Sequence, residues 1–155
     1  MYKTADETSA FFEKFAPAVA HSDRAEIVIC PPFVNIPTAF AAARSTAIEI
    51  GGQDIYWLQE GAYTGEVSGA MLAAAGCRWV IVGHSERRQY FHETDETVLK
   101  KTQAALAAAL TVPLWFVLRL SRHTVGVVPG TSRSYSPQSV LVNVVTPVAL
   151  VRCVL

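Results

Sequence analysis

Residues Trp79 to Glu93 read WVIVGHSERRQYFHE, an apolar run that passes through glycine into a histidine flanked by acid and base. Trp79 to Val82 are too few for a helix and read as a strand buried on both faces. Gly83 frees the backbone to turn. His84, Ser85, Glu86, Arg87 and Arg88 then follow together at the strand's carboxyl end. In barrels and open parallel sheets, that end is where ligands bind. SERR reads as the start of a helix. A lone histidine at a strand end is more often a hydrogen-bonded structural residue, so this corner raises a site without assigning it.

Outward from that corner the pattern repeats. Upstream, Asp6 is positioned to cap a helix whose Phe11, Phe12, Phe15 and Val19 share one apolar face. EIVICPPF, Glu26 to Phe33, reads as a strand stopped by two prolines. A short alanine-rich helix is expected from about Pro37 to Arg44, with Pro37 in its first turn. IEIGGQD, Ile48 to Asp54, reads as a further strand, and GAYTGEVS, Gly61 to Ser68, as a loop. Ser68 to Ala75 should be helical, with Gly76 as its left-handed cap. Downstream, Thr94 caps a helix that opens on Asp95 and Glu96 and lines Val98, Thr102, Leu106 and Leu110 along one face. Strand and helix units alternating at this length predict an α/β fold with a parallel sheet.

Composition bounds the partners. The chain has 155 residues, 51% of them hydrophobic, which suffices for one core. Thirteen acids balance thirteen bases, so nothing calls for nucleic acid or an anionic membrane. Cys30, Cys77 and Cys153 form neither a disulfide framework nor a zinc pattern and fit a reducing compartment. His84, His92 and Glu86 lack the spacing of metal ligands on one helix face, and His92 falls in a loop with no expected chemistry. The N-terminal stretch has no unbroken apolar core of a signal peptide, and no run reaches the roughly 18 apolar residues of a membrane span.

Four segments together carry a family resemblance. MYKTADETSAFFEKF, CPPFVNIPTAF, IGGQDIYWLQEGAYTGEVSGAMLAAAGC and WVIVGHSERRQYFHETDETVLKKTQAAL resemble triosephosphate isomerase, in order, from residue 1 to about 111. The resemblance implies a partial (β/α)₈ barrel, with strands two to four and their helices in residues 1–111, and an uncertain tail over 112–155. It implies interconversion of dihydroxyacetone phosphate and D-glyceraldehyde 3-phosphate through an enediolate, in the cytoplasm, as a step of glycolysis and gluconeogenesis. No metal or organic cofactor is implied, and the full-length enzyme is a homodimer with a small phosphorylated triose as substrate. By the same resemblance His84 is the electrophile, a neutral imidazole; the family itself is a standard illustration of a histidine held neutral by a helix N-terminus. Glu86, a buried acid, and Ser85 support it. Tyr63, Thr64, Gly65, Glu66 and Arg87 belong to the dimer interface, with Thr64 approaching the partner's active site.

The same resemblance marks departures. The family places Asn-x-Lys just ahead of a Met that matches Met1, and its glutamate base, lid and glycine-rich phosphate loops after the fifth strand. All thirteen acids lie between Asp6 and Glu96, and no Asp, Glu or Lys follows Lys101. Residues 97–155 therefore hold no carboxylate to act as that base, and the chain as given is expected to be inactive. TVPLWFV, Thr111 to Val117, stands where the family has a strand resembling P-[ILV]-V-C-V. Trp115, Phe116 and Val117 require the codons TGG, TTY and GTN, and reading one base earlier gives Leu, Met or Val, then Val, then Cys or Arg. The tail over 112–155 thus reads as divergent, either out-of-frame translation or a disordered segment. The rival reading is a non-catalytic remnant that serves as a scaffold or interaction module.

Overall fold

The computed structural model describes residues 2–21 and 26–112. The expectations for residues 113–155, including most of the fifth-strand stretch, lie outside the described residues. Chain order is α1 (Ala5–Val19), β1 (Ile27–Ile29), a 3-10 turn (Phe33–Asn35), α2 (Ile36–Ala43), β2 (Ile48–Gly52), α3 (Gly69–Ala74), β3 (Trp79–Val80), α4 (Ser85–Tyr90) and α5 (Asp95–Ala107).

The strands pair in parallel in the order β1-β2-β3, with Val28 opposite Glu49 and Gly52 opposite Val80. Side chains alternate across this sheet, as the period of two requires. Ile29, Ile50, Val80 and Val82 face the larger core, where they meet Phe12 of α1, Ala39 of α2, Leu72 of α3 and Val98 of α5. Val28, Cys30, Trp79 and Ile81 form a separate buried cluster. Helices packed on one face, with consecutive strands adjacent, are the winding of a barrel; a doubly wound sheet places helices on both faces. After α5 the chain returns to the sheet. Thr111 bridges Trp79 in parallel, and its N–H donates to Arg78 O at 2.8 Å. Thus a fourth parallel partner begins beside β3, where the next barrel strand belongs.

Three local expectations are corrected. Thr4, not Asp6, caps α1: its hydroxyl accepts from Glu7 N–H while the Glu7 carboxylate accepts from Thr4 N–H at 2.7 Å. This reciprocal box satisfies two otherwise orphaned donors, and Asp6 is already helical in the first turn. The strand of EIVICPPF is only Ile27–Ile29, because the two prolines have no N–H to give a ladder. On α5 the buried face is Val98, Lys101, Thr102 and Ala105, whereas Leu106 is 39% exposed. Leu106 lies one residue beyond Ala105 and so turns about 100° off that face. Leu110 is buried, but past the helix end, where Ala109 at φ +56° turns the chain back.

Gly76 closes α3 at φ +97°, and a Cβ there would stand 2.5 Å from the Phe40 ring. Two penalties coincide, a left-handed backbone and a collision with α2. Gly76→Ala should therefore cost about 1–3 kcal/mol in urea unfolding. An unchanged midpoint would contradict this packing.

Candidate active site

β3 delivers the chain to a turn at Gly83, φ +73°, a conformation that side chains resist. His84 follows as the N-cap of α4, and its Nδ1 accepts the Glu86 N–H at 3.2 Å. A ring nitrogen that accepts carries no proton. In that arrangement the donor nitrogen of a neutral ring is Nε2. His84 lines a cleft of about 360 Å³ with Gly65 and Glu66 from the loop, Gln53 and Asp54 after β2, and Arg87. Its side chain is 23% exposed, accessible yet flanked by protein.

Ser85 and Glu86 occupy the first positions of α4, and both are exposed. The expectation of a buried acid at Glu86 is corrected: its side chain is 62% exposed, with Oε2 3.7 Å from His84 Nδ1. No residue of α4 is buried, so nothing described covers the helix on the side that carries Glu86. Arg88 is not merely solvated. It pairs with Asp95 at 2.7 Å and donates to Gly83 O at 3.2 Å, which ties α4 to the turn and to the start of α5.

The buried acid is Glu93. Its side chain is 3% exposed and sits against Lys101, 5% exposed, at 2.5 Å. Lys101 Nζ also lies 2.7 and 2.8 Å from the two Asp54 oxygens. Arg87 Nε closes the set at 2.9 Å from Asp54 and 3.3 Å from Glu93. Two cations and two anions thus link the end of β2, α4, the turn before α5 and α5 itself. The sequence carried a signal for this: Lys101 stands three residues after Val98, on the face that the apolar period marks as buried.

Burial pushes the Asp54 carboxyl above its ordinary range, although Lys101 and Arg87 pull the other way. A carboxyl raised in the native state binds its proton more tightly folded than unfolded. Its stabilising contribution is therefore full below the unfolded value and is lost as pH rises through the native value. Asp54→Asn removes this term while Glu93 still faces both cations. The wild type should lose stability relative to Asp54→Asn as pH climbs from about 3.9 toward neutral. Parallel urea titrations at several pH values read the difference, and a constant offset would contradict it.

Tyr63, Thr64, Gly65 and Glu66 are all exposed on the loop between β2 and α3. Arg87 is half-buried and spends its Nε on the ion network of its own chain. Among the described residues no group of three His, Cys, Asp or Glu side chains is placed to hold a metal. No helix of the described residues is long and apolar enough to cross a membrane.

A family model described as triosephosphate isomerase matches residues 1–114. The chain belongs to the triosephosphate isomerase family. It is 64% identical over 111 residues to the triosephosphate isomerase of Solibacter usitatus, covering 72% of this chain and 45% of that protein. The one from Citrifermentans bemidjiense is 53% identical over 114 residues, 74% of this chain and 45% of that protein. Among solved structures, the crystal structure of triosephosphate isomerase from Bartonella henselae superposes with a TM-score of 0.67 at 36% identity, over 72% of this chain and 46% of that one. The chain spans less than half the length of these triosephosphate isomerase relatives. Its three strands and their helices are therefore the α/β architecture of part of a TIM barrel.

Proposed function

We propose that residues 1–111 are the histidine-bearing portion of an enzyme that interconverts dihydroxyacetone phosphate and D-glyceraldehyde 3-phosphate. A base removes a carbon-bound proton, the electrons pass toward the carbonyl, and an enediolate forms before the proton returns to the neighbouring carbon. His84 Nε2–H donates to the oxygen where that charge develops. A donor fixed in advance at that place stabilises the transition state without reorganising. The observation that supports this role is the Glu86 N–H bond to Nδ1, which commits the ring's proton to the other nitrogen. Ser85 and Glu86 support the histidine by forming the first turn of α4, on whose N–H groups the cap depends.

The reaction in this reading needs no metal or organic cofactor, takes place in the cytoplasm and serves glycolysis and gluconeogenesis. The loop residues Tyr63, Thr64, Gly65 and Glu66, together with Arg87 of α4, form a homodimer interface. Residues 97–155 contain no Asp or Glu, so the 155-residue chain does not turn over on its own. Residues 112–155 are read as translation in a neighbouring frame, and sequencing the encoding DNA across codon 112 distinguishes this from a true tail. A chimera tests the activity: residues 1–111 replace the matching stretch of the Solibacter usitatus enzyme, to which they are 64% identical. It should isomerise triose phosphates, and a folded, dimeric chimera without turnover would overturn the proposal.

A further inference from the structure

Lys100 and Lys101 are neighbours on α5 and leave the helix about 100° apart. Both reach the same segment of chain. Lys101 points inward to Asp54, whereas Lys100 places Nζ 5.8 Å from the centre of the Trp57 ring. From Trp57 the contacts continue toward the loop. Tyr56 stacks on Trp57 at 4.2 Å and meets Tyr63 at 4.8 Å. Tyr56 N–H donates to Val67 O at 2.8 Å, closing the loop's neck, and Glu66 N–H donates to Tyr63 O at 3.0 Å within it. Thr64 and Gly65 are left exposed at the tip.

We propose that Lys100, through its grip on Trp57 and the Tyr56 and Tyr63 rings beyond, positions loop 61–68 before any partner arrives. A second copy of the chain then docks on a preformed surface, and this part rests on the subunit-interface reading given above. Ordering a loop at the moment of association costs affinity, and contacts made within one subunit remove that cost in advance. Lys100 acts here as a positioning residue, through Trp57.

Lys100 also pairs with Glu96 at 2.7 Å, one helical turn back. That pair supports α5 alone, so the two roles separate by substitution. Amide exchange read by NMR on the 155-residue chain follows the Tyr56 and Glu66 N–H groups, with Thr8 N–H of α1 as the reference. Lys100→Met should speed exchange of the two loop amides roughly two- to five-fold, the range of an exposed cation–π contact. Lys100→Arg, which keeps a cation over the ring, and Glu96→Gln, which breaks only the helix pair, should stay near wild type. Unchanged loop exchange in Lys100→Met overturns the inference, and so does an equal rise at Thr8. Sedimentation of the chimera over a concentration series addresses the docking reading separately. A folded chimera that never self-associates overturns the interface, while the exchange result alone decides what Lys100 does to the loop.

Discussion

Lys101→Met should cost the fold about 3–5 kcal/mol, a large share of the stability of a domain this size. The lysine side chain is 5% exposed and is the cation shared by Asp54 and Glu93. Removing it leaves Glu93, whose Oε2 is buried without a hydrogen-bond partner, held by Arg87 alone at 3.3 Å. Asp54, already raised by burial, loses one of its two cations. An uncompensated buried carboxylate is expensive because water cannot reach it and the remaining field is too weak. Methionine fills nearly the same volume, so the loss reads charge more than packing. Adding Glu93→Gln to Lys101→Met should return more than half of the lost stability. Urea unfolding of the two variants decides the matter: a Lys101→Met midpoint within experimental error of wild type would refute the network's weight. A double variant no better than the single one would show that packing, not charge, is lost.

In the active chimera, His84→Gln should lower kcat by about 10²–10³-fold with little change in KM. The bond from Nε2 strengthens only as negative charge builds on the substrate oxygen, so it stabilises the transition state more than the bound ground state. Such an interaction reports in kcat and kcat/KM together. Glutamine can still offer an N–H, but nothing fixes it as Glu86 N–H fixes the imidazole. The substitution also removes the cap of α4, so its circular dichroism and melting are compared with the parent chimera. A folded variant that keeps kcat within about fivefold would remove His84 from the chemistry.

The sequence made the architecture legible where local chemistry and burial agree. IEIGG alternates with no competing signal, and it is β2 with the expected bounds at its start. Thr94 caps the helix it was expected to cap, whereas Ser68, read as the first helical residue, is the N-cap of α3; each has a short hydroxyl that reaches the N–H of the third residue on. Asp6 failed as a cap because Thr4 offered a box with Glu7, and spacing alone does not rank two capping residues two positions apart. The turn at Gly83 and the start of α4 at Ser85 were readable from GHSERR, but the capping role of His84 was not. The environment of Glu86 was not, since exposure depends on which elements cover α4. Lys101 and Glu93 escaped for a different reason. Charged residues are ordinarily assigned to solvent, and it is their pairing with each other, with Arg87 and with Asp54, 47 positions before Lys101, that makes their burial tolerable.

The proton on His84 tests the account most directly, and it can be read in the chain as it stands. With nitrogen-15 labelling at about pH 8, above the ordinary histidine range, the His84 signals are identified by their loss in His84→Gln. A bare Nδ1 coupled through the hydrogen bond to the Glu86 amide nitrogen, and a proton on Nε2, are expected. A proton on Nδ1, with no coupling to Glu86, would contradict this, for the ring would then turn its donor into α4 and have none to offer a substrate oxygen.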